Sequence, residues 1–104
     1  MSTLKWLTLD DIKAQCRIEP TFTLEDGLLT RYGCAAENAL LNAMRRTLKS
    51  IVDEYGSVPD DLVVAGLLLA NHLYEHHGPT ENVTLSAVPY SLDIYWKPYA
   101  ILAD

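Results

Sequence analysis

An all-α fold is predicted by three observations. Apolar residues recur at helical spacing in successive segments, helix start signals precede them, and no stretch alternates as a half-buried strand would. The expected architecture is a small bundle of about four helices, with a central apolar helix and a loop before the C-terminal helix. At 104 residues the chain has the size of one domain, and a single helical domain over residues 1–104 is expected. A chain of this length buries roughly two-thirds of its unfolded surface, enough for one core without staples.

The central helix is the best marked. In Val58–Gly78 a proline comes first, two aspartates follow, and Gly78 and Pro79 close the segment. Proline fits a helix's first turn, acids there offset the positive end of the dipole, and Gly then Pro stop the helix. Between these signals, Val63 to Ala70 carries no polar side chain. A helix that is apolar all round has to be enclosed all round, so this one is expected to be the post on which the rest packs.

Three acid pairs punctuate the chain, and Thr8-x-x-Asp11, Thr23-x-x-Asp26 and Ser57-x-x-Asp60 each resemble a capping box. Helix starts follow near residues 9, 24 and 59. The first helix places Leu9, Ile12 and Cys16 on one face and is expected to end at Glu19-Pro20. The second repeats apolar residues at Leu28, Tyr32, Ala35 or Ala36, Ala39 or Leu40, and Ala43 or Met44. Gly33 costs about 1 kcal/mol in a helix interior and so marks a place where another segment comes close. The pattern runs on through Leu48 and Ile51 to Gly56, and it leaves open whether one helix continues or breaks near Arg46-Thr47. Pro79–Val88 reads as a polar loop. Pro89 opens a last helix with Leu92, Tyr95, Trp96 and Tyr99 on overlapping faces, and Pro98 implies a kink or an early end.

Composition excludes several classes of function. The net charge of −6 makes the chain a poor candidate for gripping nucleic acid, because that affinity comes from neutralising phosphates. No window approaches a membrane span, and the N-terminus lacks a signal-peptide pattern, so a cytoplasmic product with no membrane partner is expected. Cys16 and Cys34, each on an apolar stripe, read as reduced, buried thiols. Arg45, Arg46 and Lys49 cluster, reading as a solvated helix face or as a contact to an acidic partner subunit.

His72, Glu75 and His76 spell H-x-x-E-H, in which two histidines at i and i+4 could bind zinc and the glutamate could act as general base. Catalytic zinc needs a third protein ligand and an open position in a cleft. After His76 only Glu81, Asp93 and Asp104 offer a carboxylate, so histidines placed at the negative end of a helix dipole are the preferred reading. No cofactor, no metal site and no catalytic residue is expected. A zinc hydrolase is the weakest alternative. Tyr90, Tyr95, Trp96 and Tyr99 concentrate near the C-terminus, as either core or interface anchors, since Trp and Tyr are enriched at hot spots.

Taken in order, four segments resemble the head–tail connector, or head-completion, proteins of long-tailed double-stranded DNA phages and their prophages. They are Thr8-Leu9-Asp10-Asp11-Ile12-Lys13 through Arg17-Ile18, and Glu25-Asp26 followed by Leu28-Leu29 and Ala35-Ala36. Then come Pro59 through Asn71-His72-Leu73-Tyr74, and finally Val88-Pro89 with Pro98-Tyr99. Each alone is mostly helix punctuation; order and spacing carry the likeness. The resemblance implies a non-enzymatic virion protein at the head–tail junction, also labelled a DNA packaging protein. Copies would form a ring beneath the portal protein and extend the DNA channel without binding DNA specifically. They would also offer a surface to a tail-completion protein or the next connector. Arg45, Arg46, Tyr95, Trp96 and Tyr99 are the candidate subunit interface. The alternative is a small helical interaction or assembly module unrelated to phages.

Overall fold

A computed structural model describes residues 3–75 and 93–100. Its helices are α1 (Leu9–Gln15), α2 (Asp26–Met44), α3 (Leu48–Tyr55), α4 (Asp60–Glu75) and the short α5 (Asp93–Trp96), which passes into a 3₁₀ turn at Lys97–Tyr99. The described residues contain no strand, and the fold is all-α. No described helix is long and apolar enough to cross a membrane.

Thr8 caps α1 as its sequence predicts, its hydroxyl accepting from the Asp11 amide at 3.1 Å. The box at Thr23 does not form. Glu25 is the N-cap of α2 and makes no side-chain cap bond, while the Asp26 amide donates to the Thr23 carbonyl rather than to its hydroxyl. At the start of α4 the Pro59 carbonyl accepts from the amides of Leu62 and Val63.

Two helices stop where no glycine or proline announces it. α1 ends before Glu19-Pro20 because Arg17 turns into the left-handed region at φ 61°, and the Ile18 amide then closes back on the Lys13 carbonyl at 2.8 Å. α2 ends in the same way at Arg45, φ 58°, with the Arg46 amide on the Leu41 carbonyl at 3.1 Å. These are Schellman-type ends, in which a left-handed residue lets the chain satisfy the last carbonyls. Thr47 then caps a new helix by accepting from the Ser50 amide at 3.1 Å. The long second periodicity is therefore two helices. Gly56, at φ 84°, ends α3 as its position in the sequence indicates.

The buried stripe of α2 is Leu29, Gly33, Ala36, Leu40 and Met44, with Leu41 and Glu37 beside it. It lies one residue round from the expected Leu28 and Tyr32, which are only half-buried. Gly33 does mark a close approach: a Cβ there would lie 2.6 Å from both Ile12 Cδ1 and Leu4 Cδ2. Because Ile12 has no room to retreat, Gly33→Val is expected to cost about 1–3 kcal/mol of stability, measured by urea denaturation. Gly66 on α4 is a second close approach, where a Cβ would lie 2.9 Å from Leu7 Cδ2.

α4 stands between two apolar clusters. Leu62, Ala65, Leu69 and Ala70 join Ala36, Leu40, Met44 and Ile51 in one. Val63, Leu67 and Tyr74 lean on the other, formed by Leu7, Ile12 and Leu29. That double role explains a helix apolar on nearly every side. The enclosure is incomplete, since Val64 is 38% exposed.

The expected loop over Pro79–Val88 and the Gly78-Pro79 stop lie outside the described residues, as do Pro89 and Leu92. Pro98 acts as predicted: α5 gives way to a 3₁₀ turn at Lys97.

Candidate interface at the α3 and C-terminal end

Three polar devices fix the elements relative to one another. The first centres on Glu37, a carboxylate with no exposed surface on the inner side of α2. It accepts four hydrogen bonds from three successive backbone amides of the segment before α1. The Lys5 amide reaches both oxygens at 2.9 Å, and the Trp6 and Leu7 amides reach Oε2 at 2.8 Å each. A buried carboxylate is costly unless paired or fully hydrogen-bonded, and here the backbone supplies the donors. The strap so held carries Leu4, Trp6 and Leu7 over the small residues Gly33 and Gly66. Trp6 Nε1 donates to the Leu62 carbonyl at 3.2 Å, tying the strap to α4 as well.

The second device is Lys13, whose side chain is 4% exposed. Its ammonium pairs with Asp26 Oδ1 at 2.8 Å and donates to the Pro20 carbonyl at 3.2 Å, fastening the α1–α2 loop.

The third gathers the C-terminal segment around Arg46. Its guanidinium donates to Ser50 Oγ and the Ser50 carbonyl at 3.1 Å, to the Tyr99 carbonyl at 3.3 Å and to Glu54. It also lies 5.5 Å from the centroid of the Tyr55 ring. Tyr55 meets Tyr99 edge to face at 5.3 Å, and the Tyr99 hydroxyl donates to Asp61 at 2.8 Å. One arginine thus links α3, the 3₁₀ turn and, through Tyr99, the start of α4.

Of the five candidate interface residues, Arg46 and Tyr99 are therefore brought together inside the chain. Tyr95 and Trp96 are half-buried against the Leu40–Leu69 cluster. The Trp96 Nε1 atom is buried and has no hydrogen-bond partner among the described residues. Arg45, at the left-handed turn, is exposed. The expectation of one solvated basic face does not describe this cluster. The chain breaks there, burying Arg46 while leaving Arg45 and Lys49 outside, with Lys49 paired to Asp53 at 2.8 Å. Ile94, 68% exposed on α5, is an apolar surface residue that periodicity did not single out.

At the opposite end, the Tyr74 hydroxyl donates to Glu25 Oε1 at 2.7 Å. The bonds to these carboxylates, and secondarily burial, push the ionisation of Tyr74 and Tyr99 above the ordinary tyrosine range. The folded chain holds both phenolic protons more tightly than the unfolded chain does. Their contribution is therefore complete below about pH 10 and lost as pH rises through the folded values. The melting temperature is expected to fall as the pH rises above about 10, and Tyr74→Phe with Tyr99→Phe to flatten that fall. A thermal melt series across this window checks it.

Cys16 and Cys34 are free thiols, half-buried rather than buried, and burial raises the ionisation of each. His72 lies in the last turn of α4, and His76 falls outside the described residues. Among the described residues, no three histidine, cysteine or acidic side chains group as metal ligands.

A known family matches most of this framework, while Lys5, Trp6, Trp96 and Tyr99 lie outside the matched residues. A family model described as phage gp6-like head-tail connector protein matches residues 7–95, from the end of the strap to α5. The chain belongs to the phage head–tail connector family. It is a structural phage protein. No curated protein and no solved structure matches it.

Proposed function

We propose that copies of this connector form a ring between portal and tail, extending the DNA channel and completing the head after packaging. The match to the connector family over residues 7–95 carries this reading. The net charge of −6 supports it, because a channel wall must let DNA slide without counterion-releasing contacts. The role is non-enzymatic and uses no cofactor. Its partners are further copies of itself, the portal protein and a tail-completion or next connector protein, and its place is the head–tail junction of the virion. Arg45, Arg46, Tyr95, Trp96 and Tyr99 contribute one face of the contact. Arg46 and Tyr99 shape that face from inside, while Arg45 and the outer parts of Tyr95 and Trp96 meet the neighbour.

Co-sedimentation with portal-bearing heads tests the proposal. The chain is expected to pellet with such heads and to stay in the supernatant with heads lacking portal. Ile94→Asp should weaken that association while leaving the melting temperature within a few degrees, since surface changes rarely exceed about 0.5 kcal/mol. Trp96→Ala should lower both, because Trp96 packs on the core. Equal binding to heads with and without portal would overturn the reading.

A further inference from the structure

The core of the bundle is divided, and the N-terminal unit (residues 3–15) covers only one part of it. Leu7 and Ile12 close the smaller cluster against Leu29, with Val63 and Leu67 of α4 beside them. The larger cluster, which holds Ala36, Leu40, Leu69 and Ala70, takes none of its buried members from this unit, and only Trp6 leans on it. Separate clusters open separately, so α2, α3 and α4 keep their common core when the unit leaves.

The seat beneath the unit is specific for it. Gly33 leaves the space that Leu4 and Ile12 fill, and Gly66 the space that Leu7 fills. Glu37 takes the amides of Lys5, Trp6 and Leu7, Asp26 takes the Lys13 ammonium, and the Leu62 carbonyl takes Trp6 Nε1. All of these receiving groups lie on α2 or α4, so every copy of the chain offers the same seat to any N-terminal unit.

The connection is long enough for an exchange. Ten residues, 16–25, join α1 to α2, whereas about 2–8 suffice between the helices of a bundle. Extended, they span up to about 33 Å, more than the 25–28 Å across the bundle. Phe22 and Leu24 in their middle are exposed, and the side-chain bond that exchange gives up here is the one from Lys13 to the Pro20 carbonyl.

We propose that copies in the ring exchange N-terminal units, the strap and α1 of each seated on α2 and α4 of the next. Exchange returns every contact of the seat, so its net cost is small, and passing the unit one way round gives the heterologous contact a ring needs. A tethered unit meets its own seat at an effective concentration on the order of millimolar, so the dilute chain stays closed on itself. Copies gathered on the portal reach comparable concentrations, and there exchange competes. The inference rests on the ring reading and names the contact between copies.

Lys5 Nζ donates to Asn38 Oδ1 at 3.1 Å, and both residues are exposed, so a cysteine at each reports whose seat a unit occupies. The test places Lys5→Cys and Asn38→Cys together in the full chain, with Cys16→Ser and Cys34→Ser, and joins them by a short reducible thiol linker. In dilute solution the expected product on a denaturing gel is linked monomer. On portal-bearing heads it is a ladder of linked copies. Chain linked shut beforehand should fail to join such heads, and reductant should restore it. Linked monomer alone, in particles whose rings are visible by electron microscopy, overturns the exchange and leaves the ring standing. Linked pairs with nothing longer mean a two-fold exchange and overturn it as well. If the parent chain forms no ring on the heads, the ring reading itself falls and the inference with it.

Discussion

Glu37→Ala is expected to be the most damaging single change in the chain. It strips the acceptor from three backbone amides, those of Lys5, Trp6 and Leu7, which no other described group can serve. An unsatisfied buried donor costs about 1–3 kcal/mol, and water recovers part of this at the strap's outer edge, so a loss of about 3–5 kcal/mol follows. For a domain of this size that lowers the melting temperature by about 15 °C or more. Glu37→Gln should fall between the parent and the alanine variant. Its one oxygen can take the Trp6 and Leu7 amides, but its NH₂ group then faces the Lys5 amide, donor against donor. Thermal and urea denaturation of the three proteins give the ranking. A melting temperature for Glu37→Ala within 3 °C or so of the parent would mean the strap contributes little to folding.

Arg46→Ala ranks second, at about 2–4 kcal/mol. It takes the guanidinium donor from the Tyr99 carbonyl and the added donor from the Ser50 carbonyl, removes a cation from the face of Tyr55 and frees Glu54. Glu54 is largely in solvent, so its ion pair is the smaller part of the loss. Arg46→Lys should rescue little, because an ammonium cannot present the planar fork that reaches Ser50 and Tyr99 at once. The effect is local as well as global. Hydrogen exchange at the Ala100 amide, which donates to the Lys97 carbonyl, should accelerate more than exchange in the middle of α2. Uniform acceleration everywhere would mean Arg46 supports the bundle and not the C-terminal segment.

What could be read from the sequence follows from which signals are local. The Thr8 cap, the Gly56 stop, the interruption at Pro98 and the close approach at Gly33 each arise from one residue's own chemistry. Each was legible. The central helix was legible because eight successive apolar side chains admit few surroundings, and Val64 escapes only because the two clusters flank α4 without fully closing round it. The ends of α1 and α2 were hidden. Arginine is not a residue that signals a left-handed turn, and Arg17 and Arg45 are held there by the bonds that close behind them. The register of α2 slipped by one because Leu28 and Leu29 are equivalent until α1 and α4 choose between them. Nothing local marks Glu37 or Lys13, since their partners are a distant backbone segment and a loop. The same long-range pairing makes Arg46 a structural residue within a candidate interface. A fold-level resemblance shows the family without showing which side chains face inward.

The closed ring on the portal is the central proposal for this connector. Electron cryomicroscopy of DNA-filled, tailless heads tests it most directly. The expected result is a ring of helical density continuous with the portal channel, into which α1 to α4 fit. Filled heads that end at the portal, with this chain absent from the channel and found only in the unassembled fraction, would contradict it.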